Sequence, residues 1–208
     1  MSHSQTYSRP QLRSRLHEQL TAGNFHLFAS VCQDVLKAIG CQEVRLAGRL
    51  RFKGKNQGGG YDLEATLPGP LPRPVVVQLK QFRSQRVFQR SIDELRGAAL
   101  RAGAAEAILI TSGPLSRVLQ DTRAKLTKSP VPVRLIDGQE LLDLLLAHEI
   151  GVMQIEETLV FDDAYFARLA KACVDQGLQE SYRKVRDKSP TLTIRFERRG
   201  RVRYQFLP

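Results

Sequence analysis

The stretch KNQGGGYDLEATLPGPLPRPVVVQLKQF, residues 55–82, contains two patterns that do not belong to one another by packing alone. Three glycines (Gly58, Gly59, Gly60) run into Tyr61 and Asp62, after which polar and apolar residues alternate as in a strand with one covered face. A second strand, VVVQL, has the continuous apolar lead-in expected of a strand central in a sheet. That strand nevertheless ends in Gln78 and Lys80, two residues apart and therefore on one face, as Asp62 and Glu64 are. Burying such groups without partners costs several kcal/mol. If the two strands are neighbours, an acidic pair and an amide–ammonium pair face one cleft.

Those groups suit metal-assisted hydrolysis of a phosphodiester. Asp62 offers a hard anionic oxygen, Gln78 an amide oxygen and Leu79 a backbone carbonyl, the ligand types that Mg²⁺ takes. Lys80 is placed to orient or deprotonate a water and to offset charge developing on phosphorus. Asp62 also has a plainer reading as a turn residue after glycines, Lys80 as a snorkelling strand end, and Glu64 as a solvated strand residue.

Outward from this stretch the chain reads as an alternation. Helical spacing covers 11–20 and 25–39, the second with Phe28, Val31, Cys32, Val35 and Ile39 on one stripe and Gly40 at its end. Strand patterning returns at 44–52. After PGPLPRP and the 75–79 strand come a helix over 84–102 with Phe88, Ile92, Leu95 and Ala99 as its stripe, and a strand at 106–111. A helix opened by Pro114 and Leu115, a strand at 131–137 and a helix over 138–150 follow. Such an order predicts an α/β fold with a mixed sheet and helices on both faces. Residues 151–161 read as a linker or an extra strand, and a polar helix spans about 162–188. TLTIRFERRGRVRYQFLP alternates on both sides of Arg199-Gly200, as a β-hairpin does. Its first strand sets Leu192, Ile194 and Phe196 against Thr193, Arg195 and Glu197; its second sets Val202, Tyr204 and Phe206 against Arg201, Arg203 and Gln205. The expected divisions are an N-terminal arm and helix (1–24), a core (25–152), and a C-terminal helix with a basic hairpin (153–208).

Charge points to the partner. Thirty-two Lys and Arg against twenty-one Asp and Glu leave +11, with the cations clustered rather than evenly spread. Five fall in RLAGRLRFKGK (45–55) with no acid among them. Arg83, Arg86 and Arg90 follow Lys80, and Arg195, Arg199, Arg201 and Arg203 lie in the last stretch. A polyanion is the natural partner, double-stranded DNA first. The three glycines at 58–60 lack the spacing of a phosphate-binding P-loop. Three cysteines without CxxC spacing fit a reducing cytoplasm and argue against structural zinc. No apolar run approaches a membrane span, and the N-terminus has no secretory h-region.

Three motifs in order, Gly59-Gly60-Tyr61-Asp62, Gln78-Leu79-Lys80, and Leu135-Ile136-Asp137-Gly138 with Leu141, resemble the Mrr-type catalytic domain of the PD-(D/E)XK nuclease superfamily over about residues 25–152. The resemblance implies a restriction-endonuclease-like mixed central sheet flanked by helices, with the C-terminal helix and hairpin as an appendage. It implies a Mg²⁺-dependent endodeoxyribonuclease of restriction or defence type, with Mn²⁺ substituting. Asp62, Gln78, Lys80 and Glu64 are then the catalytic residues, and Asp62, Gln78 and Leu79 the metal ligands. The family carries a glutamate on its first helix after an aromatic residue, where this chain has Ala29 after Phe28; Gln33, Asp34 or Glu64 are the candidate stand-ins. That departure keeps a DNA-binding module with a decayed metal site as the alternative, beside a Holliday-junction or recombination nuclease. Cutting both strands needs two active sites, so a homodimer is expected. No recognition domain is visible in the sequence, which points to a separate targeting partner or to the C-terminal region. Asp137 reads as a turn and N-cap residue, and Ser112 and Ser116 as caps that could alternatively contact phosphate.

Overall fold

The structure is a computed structural model that describes residues 8–47, 60–155, 158–188, 192–197 and 201–206. It divides into two compact units, residues 1–163 and 164–208.

The first unit begins with helices α1 (Arg9–Ala22) and α2 (Phe25–Ala38). Leu12, Leu16 and Leu20 of α1 recur every fourth residue and are buried. Asn24 caps α2 by accepting from Leu27 N–H (2.8 Å), and Gly40, at φ +97°, ends the helix in the left-handed region that favours glycine. Strands β1 (Gln42–Leu46), β2 (Leu63–Leu67) and β3 (Arg73–Lys80) form an antiparallel run. Helix α3 (Gln89–Ala102), strand β4 (Glu106–Thr111), helix α4 (Arg117–Leu126), strand β5 (Val133–Ile136) and helix α5 (Gly138–Ala147) follow, with β3, β4 and β5 parallel. The sheet order is β1-β2-β3-β4-β5, so β3 is central and joins the antiparallel half to the parallel half. This is the mixed α/β sheet that the alternation predicted.

Both faces of the parallel half are covered, which is why β3 and β4 carry continuous apolar runs. On one face Val76, Ala107, Leu109, Val133 and Leu135 pack against Ile92, Leu95 and Ala99 of α3 and Leu119 and Leu126 of α4. The alternate residues Val75, Val77, Ile108 and Ile110 are equally buried, on the side where α5 packs against β4 and β5. Arg13 of α1 ties that helix to α5 through Asp143 and through Gln139 Oε1 (2.7 Å).

Several boundaries differ from the sequence expectation. Helix α4 starts at Arg117, behind its Ser116 cap, because Leu115 bridges to Val87 instead of opening the helix. Helix α3 starts at Gln89, leaving Phe88 outside its buried stripe and exposed. The stretch 151–161 is neither a linker nor a single strand; Val152–Ile155 (β6) and Thr158–Phe161 (β7) pair antiparallel as a separate two-stranded sheet. The strand expected over 44–52 is seen as β1 up to Leu46, and its later residues lie outside the described ones.

The second unit holds the long helix α6 (Asp163–Lys188) and the strands β8 (Leu192–Glu197) and β9 (Arg201–Phe206). The hairpin register pairs Leu192 with Phe206, Ile194 with Tyr204, Phe196 with Val202, and Arg195 with Arg203. The expected tip at 198–200 lies outside the described residues.

Candidate active site

Asp62 immediately precedes β2, and its backbone continues the ladder: its N–H donates to Val77 O (2.7 Å) and its carbonyl accepts from Ala47 N–H (2.9 Å). Leu63 pairs with Val77, so Asp62 lies beside Gln78 at the end of β3. Its side chain turns to the same strand, Oδ2 accepting from the Leu79 backbone N–H at 2.7 Å. Oδ1 accepts from no donor among the described residues. Burial pushes this carboxyl above its ordinary range, opposed by the Leu79 hydrogen bond and by the charge of Lys80. Asp62 and Lys80 therefore sense one another electrostatically. Lys80 is half-buried and forms no ion pair among the described residues.

Gln78 is buried, and its Oε1 has no hydrogen-bond partner among the described residues. Buried amide oxygens nearly always find donors, and an orphaned one costs about 1–3 kcal/mol. A cation is the ligand such an oxygen accepts, and an adjacent anionic Asp62 adds the charge a hard metal needs. The donor set thus fits a single divalent ion held by Asp62, Gln78 and a backbone carbonyl. No three His, Cys, Asp or Glu side chains cluster among the described residues.

Helix α2 brings no carboxylate to this point. Ala29 and Cys32 are buried, and the thiol of Cys32 is pushed well up by burial and further by the Asp62 charge. Cys32 of α2 therefore lies close enough to Asp62 to feel its charge. The three candidate stand-ins for the missing glutamate have other partners. Gln33 Nε2 donates to Val44 O (3.5 Å), and Asp34 pairs with Lys37 (3.3 Å). Glu64 is held by Arg45 (3.0 Å) and by the Tyr61 hydroxyl, which donates to Oε1 at 3.1 Å.

The surrounding loops are fixed by close backbone approach. Gly60 has φ +73°, and a Cβ there would meet Ala98 Cβ at 3.2 Å. Gly138 of the LIDG motif has no room either: a Cβ would meet Ser112 O at 2.4 Å. Asp137 caps α5, accepting from Gln139 and Glu140 N–H (both 3.0 Å), and Ser116 caps α4. Ser112 Oγ is engaged by the backbone of Phe82, accepting from its N–H (2.8 Å) and donating to its carbonyl (2.9 Å). These are capping and loop-bracing roles. Gln81, which no sequence signal singled out, donates from Nε2 to Leu20 O (2.7 Å) and Gly23 O (2.9 Å). It ties the end of β3 to the α1–α2 turn.

Arg83 and Arg86 are exposed in the loop that leaves β3 at Lys80, and neither forms an ion pair among the described residues. Arg90 is exposed on α3 and paired with Glu94 (2.9 Å). Arg195, Arg201 and Arg203 fall on β8 and β9, and Arg199 lies outside the described residues. No helix among the described residues is long and apolar enough to cross a membrane.

A solved structure described as the DNA modification-dependent restriction endonuclease AspBHI superposes with a TM-score of 0.54 at 15% identity, over 83% of this chain. The chain spans 44% of that protein's length. No curated protein matches the sequence. Residues 21–145, more than half of the chain, match the Mrr catalytic-domain family, described as restriction endonuclease. With its mixed sheet, its Asp62 beside Gln-Leu-Lys and its LIDG turn, the chain belongs to that restriction endonuclease family.

Proposed function

We propose that the chain is a divalent-metal-dependent endodeoxyribonuclease of the Mrr-like restriction type. The observation that carries this is the buried Gln78 Oε1, without a partner among the described residues, beside a carboxyl held above its ordinary range. The same strand presents Lys80, which has no ion pair among the described residues. A stable fold discards such an arrangement unless a ligand completes it.

In this reading Asp62, Gln78 and the Leu79 carbonyl hold Mg²⁺, for which Mn²⁺ substitutes. The bound ion supplies Lewis-acid polarisation of the phosphate and acidification of a coordinated water. Lys80 orients or deprotonates the attacking water and offsets the charge that develops on the phosphorane. Glu64, fixed by Arg45 and Tyr61, is the second carboxylate of the site. Arg83, Arg86 and Arg90, with Arg195, Arg199, Arg201 and Arg203 of the hairpin, hold the DNA backbone, as the +11 net charge favours. A homodimer supplies one site per strand, and a separate partner or the C-terminal unit selects the target.

A DNA-binding module without cleavage is the second reading. It is favoured by the absence, among the described residues, of an acid on α2 near Asp62. Metal-dependent nicking of supercoiled plasmid decides between the two. The parent chain nicks with Mg²⁺ or Mn²⁺, while Asp62→Ala and Lys80→Ala lose at least about a hundredfold in rate and keep the fold and most DNA affinity. A parent that binds DNA but never nicks it establishes the second reading instead. Full activity in either variant refutes the site assignment.

A further inference from the structure

Phe88 is 61% exposed, and neither packing nor capping accounts for it. It occupies the N-cap of α3 with no side-chain cap hydrogen bond, at a position where Ser, Thr, Asp or Asn would stabilise the helix. The apolar contact usual at a helix start is made by its neighbour: Val87, 1% exposed, belongs to the same buried cluster as Ile92, four residues beyond the cap. Phe88 is therefore surplus to the core.

It is also rigidly presented. Val87 N–H donates to Pro114 O (3.1 Å), and its carbonyl accepts from Ser116 N–H (2.9 Å). Phe82, earlier in the same loop, is clamped on both backbone groups by Ser112. Between these anchors the loop exposes Arg83 and Arg86, two cations without ion pairs among the described residues. It starts at Lys80 and ends at Phe88. A bare aromatic ring on a fixed backbone, flanked by exposed guanidinium groups, is the chemistry that stacks on a nucleobase while the phosphates are held.

We infer that Phe88 is a base-stacking residue that directs the chain to DNA with an unpaired or parted base close to the cut. The inference rests on the nuclease reading above and adds a substrate preference to it. Stacking one base on one ring returns less free energy than parting an intact base step costs, whereas a base already unpaired offers its face freely. The preference is therefore for a gap, mismatch or single-stranded flank over perfect duplex.

The chain contains no tryptophan, so Phe88→Trp creates a single fluorescent reporter at the proposed contact. Binding of the full chain is measured in EDTA, where cleavage cannot intervene, to a perfect duplex and to the same duplex carrying a short gap. The expected result is quenching of the Phe88→Trp fluorescence by gapped DNA beyond that by duplex. Phe88→Ala is expected to lose about tenfold in affinity for gapped DNA and less than about twofold for duplex. Equal losses on both substrates, no loss on either, or no quenching overturn the inference and leave the nuclease reading intact. A Phe88→Ala variant that changes sedimentation rather than DNA preference assigns the ring to a subunit interface, and overturns it too. A parent chain that binds neither DNA defeats both readings together.

Discussion

The backbone N–H of Leu79 donates to Asp62 Oδ2 at 2.7 Å, so the strand that carries Gln78 and Lys80 also holds the carboxyl they serve. One hydrogen bond sets the orientation of Asp62 across the β2–β3 ladder, whose register already places the residue beside Gln78. The other oxygen accepts from no donor among the described residues. A half-buried carboxyl thus lies beside a buried amide oxygen that has no partner among the described residues, a pairing that is costly unless a ligand completes it.

The first prediction follows from the direction of the Asp62 shift. Burial, the largest cause, raises its folded pKa above the unfolded value. The protonated carboxyl is therefore favoured by folding, and that contribution is complete below the ordinary carboxylate range. It is lost as pH rises through the raised folded value, beyond which the charged form is a constant cost. Asp62→Asn keeps the Leu79 hydrogen bond and removes the titration. Thermal melts in EDTA from about pH 4 to about pH 7 are expected to show the variant gaining on the parent as pH rises, then holding a fixed lead. Added Mg²⁺ or Mn²⁺ raises the melting temperature of the parent only. A variant that is less stable than the parent at neutral pH contradicts the assignment.

Gln78→Glu exchanges a neutral ligand for an anionic one. Metal affinity is expected to rise roughly tenfold, since carboxylate count tunes such sites, and cleavage to persist. Without metal the variant is less stable, because two carboxylates then share one buried site. Isothermal titration with Mn²⁺ and melts in EDTA read the two effects separately. Inactivation with unchanged metal affinity would mean that the amide NH₂ is used instead, for instance toward DNA.

Gly138→Ala probes the packing of the loops around the site. Its new Cβ would meet a backbone oxygen, Ser112 O at 2.4 Å, and no flexible side chain can yield. A loss of about 1–3 kcal/mol in urea unfolding is expected. An unchanged midpoint would show that the 112–113 loop moves aside easily.

Deleting residues 189–208 removes the hairpin whose register pairs Arg195 with Arg203 and Glu197 with Arg201. If those arginines bind phosphates, DNA affinity falls and its logarithmic dependence on salt flattens by about one for each phosphate no longer neutralised. A truncated chain with the parent's affinity and salt slope restricts the hairpin to structure or subunit pairing.

Much of the fold was legible locally. The VVVQLK run announced a strand covered on both faces, EAILIT spans the β4 strand residue for residue, and Asp137 and Ser116 cap the helices they precede. Each rests on neighbours two to four residues apart, whose relation is set by the backbone period alone. The pairing of Asp62 with Gln-Leu-Lys was legible because two short strands around a turn-rich loop had little choice but to adjoin. Phe88 misled for the same reason that the others succeeded: its spacing to Ile92 and Leu95 is helical, but the chain enters α3 one residue later and Val87 takes the buried place. The partners of Gln81 lie 58 and 61 residues away, and Glu64 meets Arg45 across 19. Such contacts depend on how finished elements dock, which no period encodes. Sequence alone thus determined which side chains could make a metal site and on which strands they ride. Only the tertiary structure decided that Cys32 of α2 would feel the charge of Asp62, that the oxygen of Gln78 would find no donor among the described residues, and that one phenyl ring would stand outside the core, because burial is a property of the packed whole.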